Sequence, residues 1–164
     1  MKVSNPKELF TLLLSDLAQS AEIASTFFQD LVPVVQEREV KETLEARVFL
    51  SGKITETLMH CFTLVGEKPV PVNGGLLKLF VEGFQKQLGE IQSPEVRQLF
   101  ILTKVDTLLH LRIGEYRGLI AAADASGHYG VAALLGGALA SNLAFTKRMR
   151  QIIQNRREVM KATG

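Results

Sequence analysis

The chain opens with apolar side chains at the repeat of one helix face. Phe10, Leu13, Leu14, Leu17, Ala21, Ala24, Phe28 and Leu31 follow one another mainly at steps of three and four. A sheet would need alternation with a period of two, and no segment of the sequence sustains one. The stripe is preceded by Ser4-Asn5-Pro6-Lys7-Glu8, which places an N-cap at Asn5, a proline at the first helical position and a glutamate within reach of the cap. Pro33 ends this first helix. A second face is formed by Val40, Leu44, Val48, Ser51, Thr55, Leu58, Phe62 and Val65, and Gly66 stops it.

Lys68-Pro69-Val70-Pro71-Val72-Asn73-Gly74-Gly75 reads as a linker, followed by a short helix from about Leu76 to Leu88. Ser93-Pro94-Glu95 repeats the cap-then-proline start and opens a long helix to roughly Ser126, with Gly127 as a left-handed cap. A fifth helix runs from about Tyr129 to Arg157, its basic end suiting the helix dipole. Four long helices and one short one, joined by short connections, predict a single all-α domain over residues 1–164, an antiparallel helical bundle.

With 46% apolar and 22% charged residues, the chain has enough core for one domain and is not a disordered or acidic-tail protein. Its net charge of +2 is unevenly spread: the segment from Lys147 onward carries +5 and residues 1–146 carry −3. Ala125–Thr146 contains no charged residue, which raises a membrane span. That stretch is rich in Gly, Ala and Ser rather than Leu or Ile, which favours a buried helix of a bundle. The lone cysteine, Cys61, excludes an internal disulfide, lies beside Phe62 near the apolar stripe and reads as a core thiol. The N-terminus shows no secretory pattern, so a cytoplasmic location is expected.

Bundles of this kind often hold two metal ions through inward glutamates and Glu-x-x-His pairs. No Glu-x-x-His occurs here. Glu56/His60 and Asp106/His110 are i,i+4 pairs, each able to offer two ligands on one helix face. Glu56 and His60, however, share the polar face of Gly52, Lys53, Thr63 and Glu67, which favours a surface role. No phosphate-binding loop is present, and Gly74-Gly75 is a helix-start linker. Lys147, Arg148 and Arg150 with Arg156 and Arg157 could meet an acidic partner, but no aromatics interleave them, and a solvated helix end is the plainer reading.

Several segments together resemble the YciE/YciF-like branch of the ferritin-like superfamily. They are Lys7-Glu8-Leu9-Phe10, Leu14-Ser15-Asp16, Leu64-Val65-Gly66-Glu67-Lys68-Pro69, and Glu95-Val96-Arg97 through His110, Tyr116, Ala123, Gly127, Leu134-Leu135, Leu139 and Met149. The resemblance implies a ferritin-like bundle that dimerises, a link to bacterial stress responses, and bundle-facing glutamates presumed to hold a di-metal centre. On those positions this chain departs. By ungapped matching the first-helix glutamate falls on Ala21, with Glu22 about 100° round the helix. The second-helix Leu-Glu-Glu-Thr falls on Val48-Phe49-Leu50-Ser51, the fourth-helix Glu-His-Tyr-Glu on Leu109-His110-Leu111-Arg112, and the last-helix acidic run on Ala140-Ser141-Asn142. The third helix's acidic positions fall near Gly74, Lys78 and Leu79.

A buried carboxylate that has lost its metal costs several kcal/mol, so replacing the whole set is coherent. The expectation is therefore a metal-free, cofactor-free and non-catalytic ferritin-like bundle with a structural or stress-associated interaction role. The emptied positions are Ala21, Leu50, Leu109, Arg112 and Ser141. A homodimer is expected, because Leu99, Phe100, Ile101, Leu102, Val105, Leu108, Leu109, Leu111 and Ile113 are too many for one core-facing stripe. The alternative is a residual metal-binding oxidase or storage protein using Glu22, Glu56, His60, Asp106, His110 or Glu115. A further alternative puts an anionic partner on the basic end Lys147–Lys161, with nucleic acid or a membrane surface the less favoured occupants.

Overall fold

The computed structural model describes residues 3–162, with side chains described through Arg156. Five helices make up the fold: α1 Pro6–Leu31, α2 Arg38–Val65, α3 Gly75–Glu90, α4 Pro94–Ala125 and α5 Tyr129–Ala162. Their ends follow from local hydrogen bonding. Asn5 Oδ1 accepts from the Glu8 N–H at 2.9 Å, and the Glu8 carboxylate accepts from the Ser4 N–H at 2.8 Å, closing a reciprocal cap. Ser93 caps α4 through the Val96 N–H. At the other ends, Gly66 and Gly127 adopt φ of +69° and +75°. Each permits the paired bonds of a Schellman motif: Glu67 N–H to Phe62 O and Gly66 N–H to Thr63 O after α2, His128 N–H to Ala123 O and Gly127 N–H to Asp124 O after α4.

The long helices form a square in the order α1, α2, α5, α4, and α3 lies against α1 and α4. Neighbours in the square run antiparallel, so α2 and α4 point the same way and sit on a diagonal. The link between them is accordingly not short: the Pro/Gly linker and α3 together form a crossover along the bundle, as in bundles of ferritin-like connectivity. The linker is held to α1 where Ser15 Oγ accepts from the Val70 N–H at 3.0 Å, while Lys7 pairs with Glu67 at 2.6 Å.

The core divides into two apolar blocks. One gathers Ala24, Phe27, Phe28 and Leu31 of α1 with Val40 and Leu44 of α2, Ile101 to Leu109 of α4, and Phe145, Met149 and Ile152 of α5. The other gathers Phe10 to Ala21, Ile54 to Phe62, Tyr116 to Ala123 and Val131 to Ala138. Helix α3 closes the first block with Leu77 and Phe84, whose ring meets Phe27 edge-on at 4.9 Å and stacks on Phe100 at 5.4 Å. This accounts for the apolar surplus of α4. Ile101, Leu102, Val105, Leu108, Leu109 and Ile113 are buried, and Phe100 and Leu111 are half-buried against the same block. Of the nine residues only Leu99 is exposed, so the surplus is used within the chain, on faces toward α5, α1 and α3.

The segment Tyr129–Arg156 is long and apolar enough, by length and composition alone, to cross a membrane. In the bundle its Val131, Ala132, Leu135, Ala138, Phe145, Met149 and Ile152 face the core against α2 and α4. Cys61 is fully buried, and burial pushes its thiol up to about 11.

Candidate functional site

Between the two apolar blocks lies one polar layer, at the same level on all four long helices. On α2, Arg47 and Ser51 fall between Leu44 of one block and Ile54 of the other. On α4, Arg112 falls between Leu109 and Tyr116, and on α5, Asn142 falls between Ala138 and Phe145. On α1 the layer is met by Ser20 and the backbone carbonyl of Leu17.

Two guanidiniums fill this layer. Arg47 is 4% exposed and Arg112 is 1% exposed, among the most enclosed side chains of the molecule. Arg112 has a charged partner: Nη1 donates to Glu115 Oε2 at 2.6 Å. Its nitrogens also donate to Leu17 O, at 3.4 and 3.5 Å, and to the Tyr116 hydroxyl at 3.5 Å. Arg47 has none. Its Nη2 donates to the neutral Asn142 Oδ1 at 3.1 Å, and its plane lies over the rings of Phe28 and Phe145, at 5.1 and 5.8 Å. The Asn142 amide donates in turn to Ala138 O at 2.8 Å, which fixes its oxygen toward Arg47. The Nε of each arginine lacks a hydrogen-bond partner among the described residues.

The layer carries one more positive charge than negative: Arg47 and Arg112 against Glu115. Burial lowers Arg47 to about 10, with Tyr116 opposing it and repulsion from Arg112 adding to it. Burial also raises the Glu115 carboxyl, with the Asp16 charge adding to it and the Arg112 pair opposing it. Burial raises the Tyr116 hydroxyl as well, against the pull of both arginines.

Of the five positions that the resemblance marks as ligand sites, Arg112 lies in this layer and the others border it. Ala21, Leu109 and Arg112 are buried, and Leu50 and Ser141 are half-buried. Ser141 Oγ donates to its own helix at Gly137 O. The alternative metal ligands are scattered. Glu22, Glu56 and His60 are exposed on the outer faces of α1 and α2. Asp106 and His110 adjoin one another on α4, but His110 Nδ1 bonds Asp106 O at 2.7 Å and its Nε2 accepts from Arg150 Nη2 at 2.7 Å, so both ring nitrogens are engaged. Glu115 is taken by Arg112 and Ser20. Among the described residues, no three His, Cys, Asp or Glu side chains come together as an ion-binding group.

The donor set of the layer does not fit a di-metal centre. Its one carboxylate is already paired, and two guanidiniums in a low-dielectric interior oppose any further cation. Sequence reasoning overlooked Arg47 because Val48 continues the three-four spacing beside it, yet Arg47, Ile54 and Cys61 are buried while Val48, Thr55 and Val65 are half-buried. Val40, Leu44, Ser51, Leu58 and Phe62 of the expected face are buried as read, and Arg47, Ile54 and Cys61 extend that face on one side.

The basic end resolves into separate groups. Arg148 pairs with Glu39 at 2.6 Å and Arg156 pairs with Glu37. Lys147 and Arg150 face a cleft between α4 and α5 together with His110 and Arg117. Arg157 and Lys161 lie outside the residues whose side chains are described.

The fold is that of known helical proteins. YcfI of Rhodopseudomonas palustris, described as a candidate structural protein, superposes with a TM-score of 0.87 at 21% identity, over 91% of this chain and 95% of that one. The Escherichia coli stress protein YciF gives 0.88 at 16% identity, over 93% and 97%. A protein from Xanthomonas campestris pv. campestris gives 0.74 at 18%, over 96% and 95%. No curated protein sequence matches significantly. Residues 5–161 match the family described as a domain of unknown function, DUF892. A helical bundle with YciF-like architecture, matched over nearly its whole length, thus belongs to the DUF892 family.

Proposed function

We propose that this chain is a metal-free, non-catalytic bundle with a structural or stress-associated interaction role, acting in the cytoplasm as a homodimer. The observation that carries this reading is the pair Arg47 and Arg112, set at the level where the ferritin-like resemblance leads one to expect metal-binding carboxylates. Two fixed cations there substitute for the charge of ions, and aromatic faces and one carboxylate take up part of their cost. A layer of this kind gives register to four helices that are otherwise joined by interchangeable apolar contacts. The descriptions of YciF and YcfI as a stress protein and a candidate structural protein support the same class of role.

Elemental analysis of the purified chain, produced in iron- and manganese-rich medium, tests the reading. Metal well below one equivalent per chain is expected, and stoichiometric iron or manganese would overturn it.

A further inference from the structure

The cleft between α4 and α5 collects positive charge that no carboxylate among the described residues pairs with. It is open to solvent, has a volume of about 540 Å³, and no Asp or Glu among the described residues lines it. Arg117 comes from α4, and Lys147 and Arg150 come from α5, beside His110. Elsewhere four arginines meet carboxylates, Arg38 with Glu42, Arg112 with Glu115, Arg148 with Glu39 and Arg156 with Glu37, while Arg47 and Arg97 are held by the neutral oxygens of Asn142 and Ile91. In the cleft, Arg117 and Lys147 have no carboxylate partner among the described residues, and Arg150 donates to a neutral ring nitrogen of His110.

That last bond orients the site. His110 holds its Nδ1 proton against Asp106 O and offers its Nε2 lone pair to Arg150, which fixes the guanidinium while leaving most of its five N–H donors free. Ile113 and Leu143 contribute an apolar surface beside the cations. The volume falls in the range of small-molecule sites, about 300–1,000 Å³. Among the described residues no Phe, Tyr or Trp lines the cleft to stack a nucleic-acid base.

We propose that this cleft binds a small phosphorylated molecule, its phosphate on Arg117, Lys147 and Arg150 and its body against Ile113 and Leu143. The reading is independent of the buried layer and stands or falls without it.

Titration calorimetry with inorganic pyrophosphate at low salt tests it, using the wild type, the double variant Arg117→Gln/Lys147→Gln, and Arg148→Gln as a basic residue outside the cleft. Both replaced cleft residues are exposed, and circular dichroism checks that the variant remains folded. Saturable binding is expected, weakened at least tenfold in the double variant and less than twofold by Arg148→Gln. Absence of binding at millimolar pyrophosphate, or equal weakening by Arg148→Gln, would overturn it. So would displacement of pyrophosphate by a single-stranded oligonucleotide that binds more tightly, which would assign the surface to nucleic acid.

Discussion

Arg47 Nη2 donates to Asn142 Oδ1 at 3.1 Å, joining α2 to α5 inside the bundle through a cation and a neutral amide. The other buried guanidinium, Arg112, has a carboxylate at 2.6 Å. The two arginines thus occupy one layer on different terms, and they should respond to replacement in opposite ways. A methionine in place of Arg47 keeps the apolar stem, removes an uncompensated charge and forfeits one hydrogen bond. Stability to urea should change by less than about 1 kcal/mol or increase. A methionine in place of Arg112 strands a half-buried carboxylate and should cost about 1–3 kcal/mol. Adding Glu115→Gln to Arg112→Met should recover part of that loss. A larger loss from Arg47→Met than from Arg112→Met would contradict this assignment of charges.

The ends of the helices were legible in the sequence because their chemistry is local. Asn5 reaches Glu8, Ser93 reaches Val96, and Gly66 and Gly127 need only their own positive φ. Arg112 stood at a bundle-facing position that the resemblance marks, whereas Arg47 was not legible as an interior residue. Its acceptor Asn142 lies 95 positions away in the chain, and arginine at helical spacing ordinarily marks a solvated face. The cleft was half visible. Lys147 and Arg150 stood out as a run, whereas His110 and Arg117 join them only because α4 and α5 pack side by side. The surplus of apolar residues on α4 was visible and the short helix was expected, but nothing local in the sequence says that α3 folds back over Phe100 and takes up part of that surplus.

The buried thiol gives a pH dependence. Cys61 ionises near 9 when unfolded and is raised to about 11 in the fold. Between those values the unfolded chain gives up the proton and the folded chain keeps it, so stability should fall as pH rises from about 9 to about 11, then level off. The loss attributable to this group is on the order of 2 kcal/mol. Below pH 9 both states are protonated and no dependence from Cys61 is expected. Urea unfolding across this range, compared with Cys61→Ala, isolates the effect as the difference between the two curves. Parallel curves would mean that the thiol is solvated in the native state.

Two glycines should separate by sign. Gly74 holds φ +64° at the start of α3, and a Cβ there would lie 2.5 Å from Ile23 Cδ1. Gly74→Ala combines left-handed strain with a contact that the isoleucine must vacate, and should destabilise by about 1–2 kcal/mol. Gly83 lies inside α3 on its exposed side, with nothing within 4 Å of a Cβ. Gly83→Ala should stabilise by about 0.5–1 kcal/mol through helix propensity. Thermal unfolding of both variants checks the pair, and a loss of stability in Gly83→Ala would show that α3 meets a neighbour on that side.

The proposed homodimer has a specific surface to test. Helix α3 buries Leu77 and Phe84 but leaves Leu76 and Leu79, three residues apart on its outer side, 65% and 67% exposed. Adjacent leucines this open are the kind of apolar patch that a second copy covers, and a two-fold contact would bring the same face of each chain together. The double variant Leu76→Glu/Leu79→Glu places two negative charges per chain on that face. Against a self-complementary contact they repel like charges, and in a monomer they sit harmlessly in water. Light scattering at micromolar concentration should read a dimer for the wild type and a monomer for the variant, with an unchanged melting temperature for the separated chain. A wild type that is already monomeric would remove the homodimer, and a variant that remains dimeric would exclude this face of α3 as the contact.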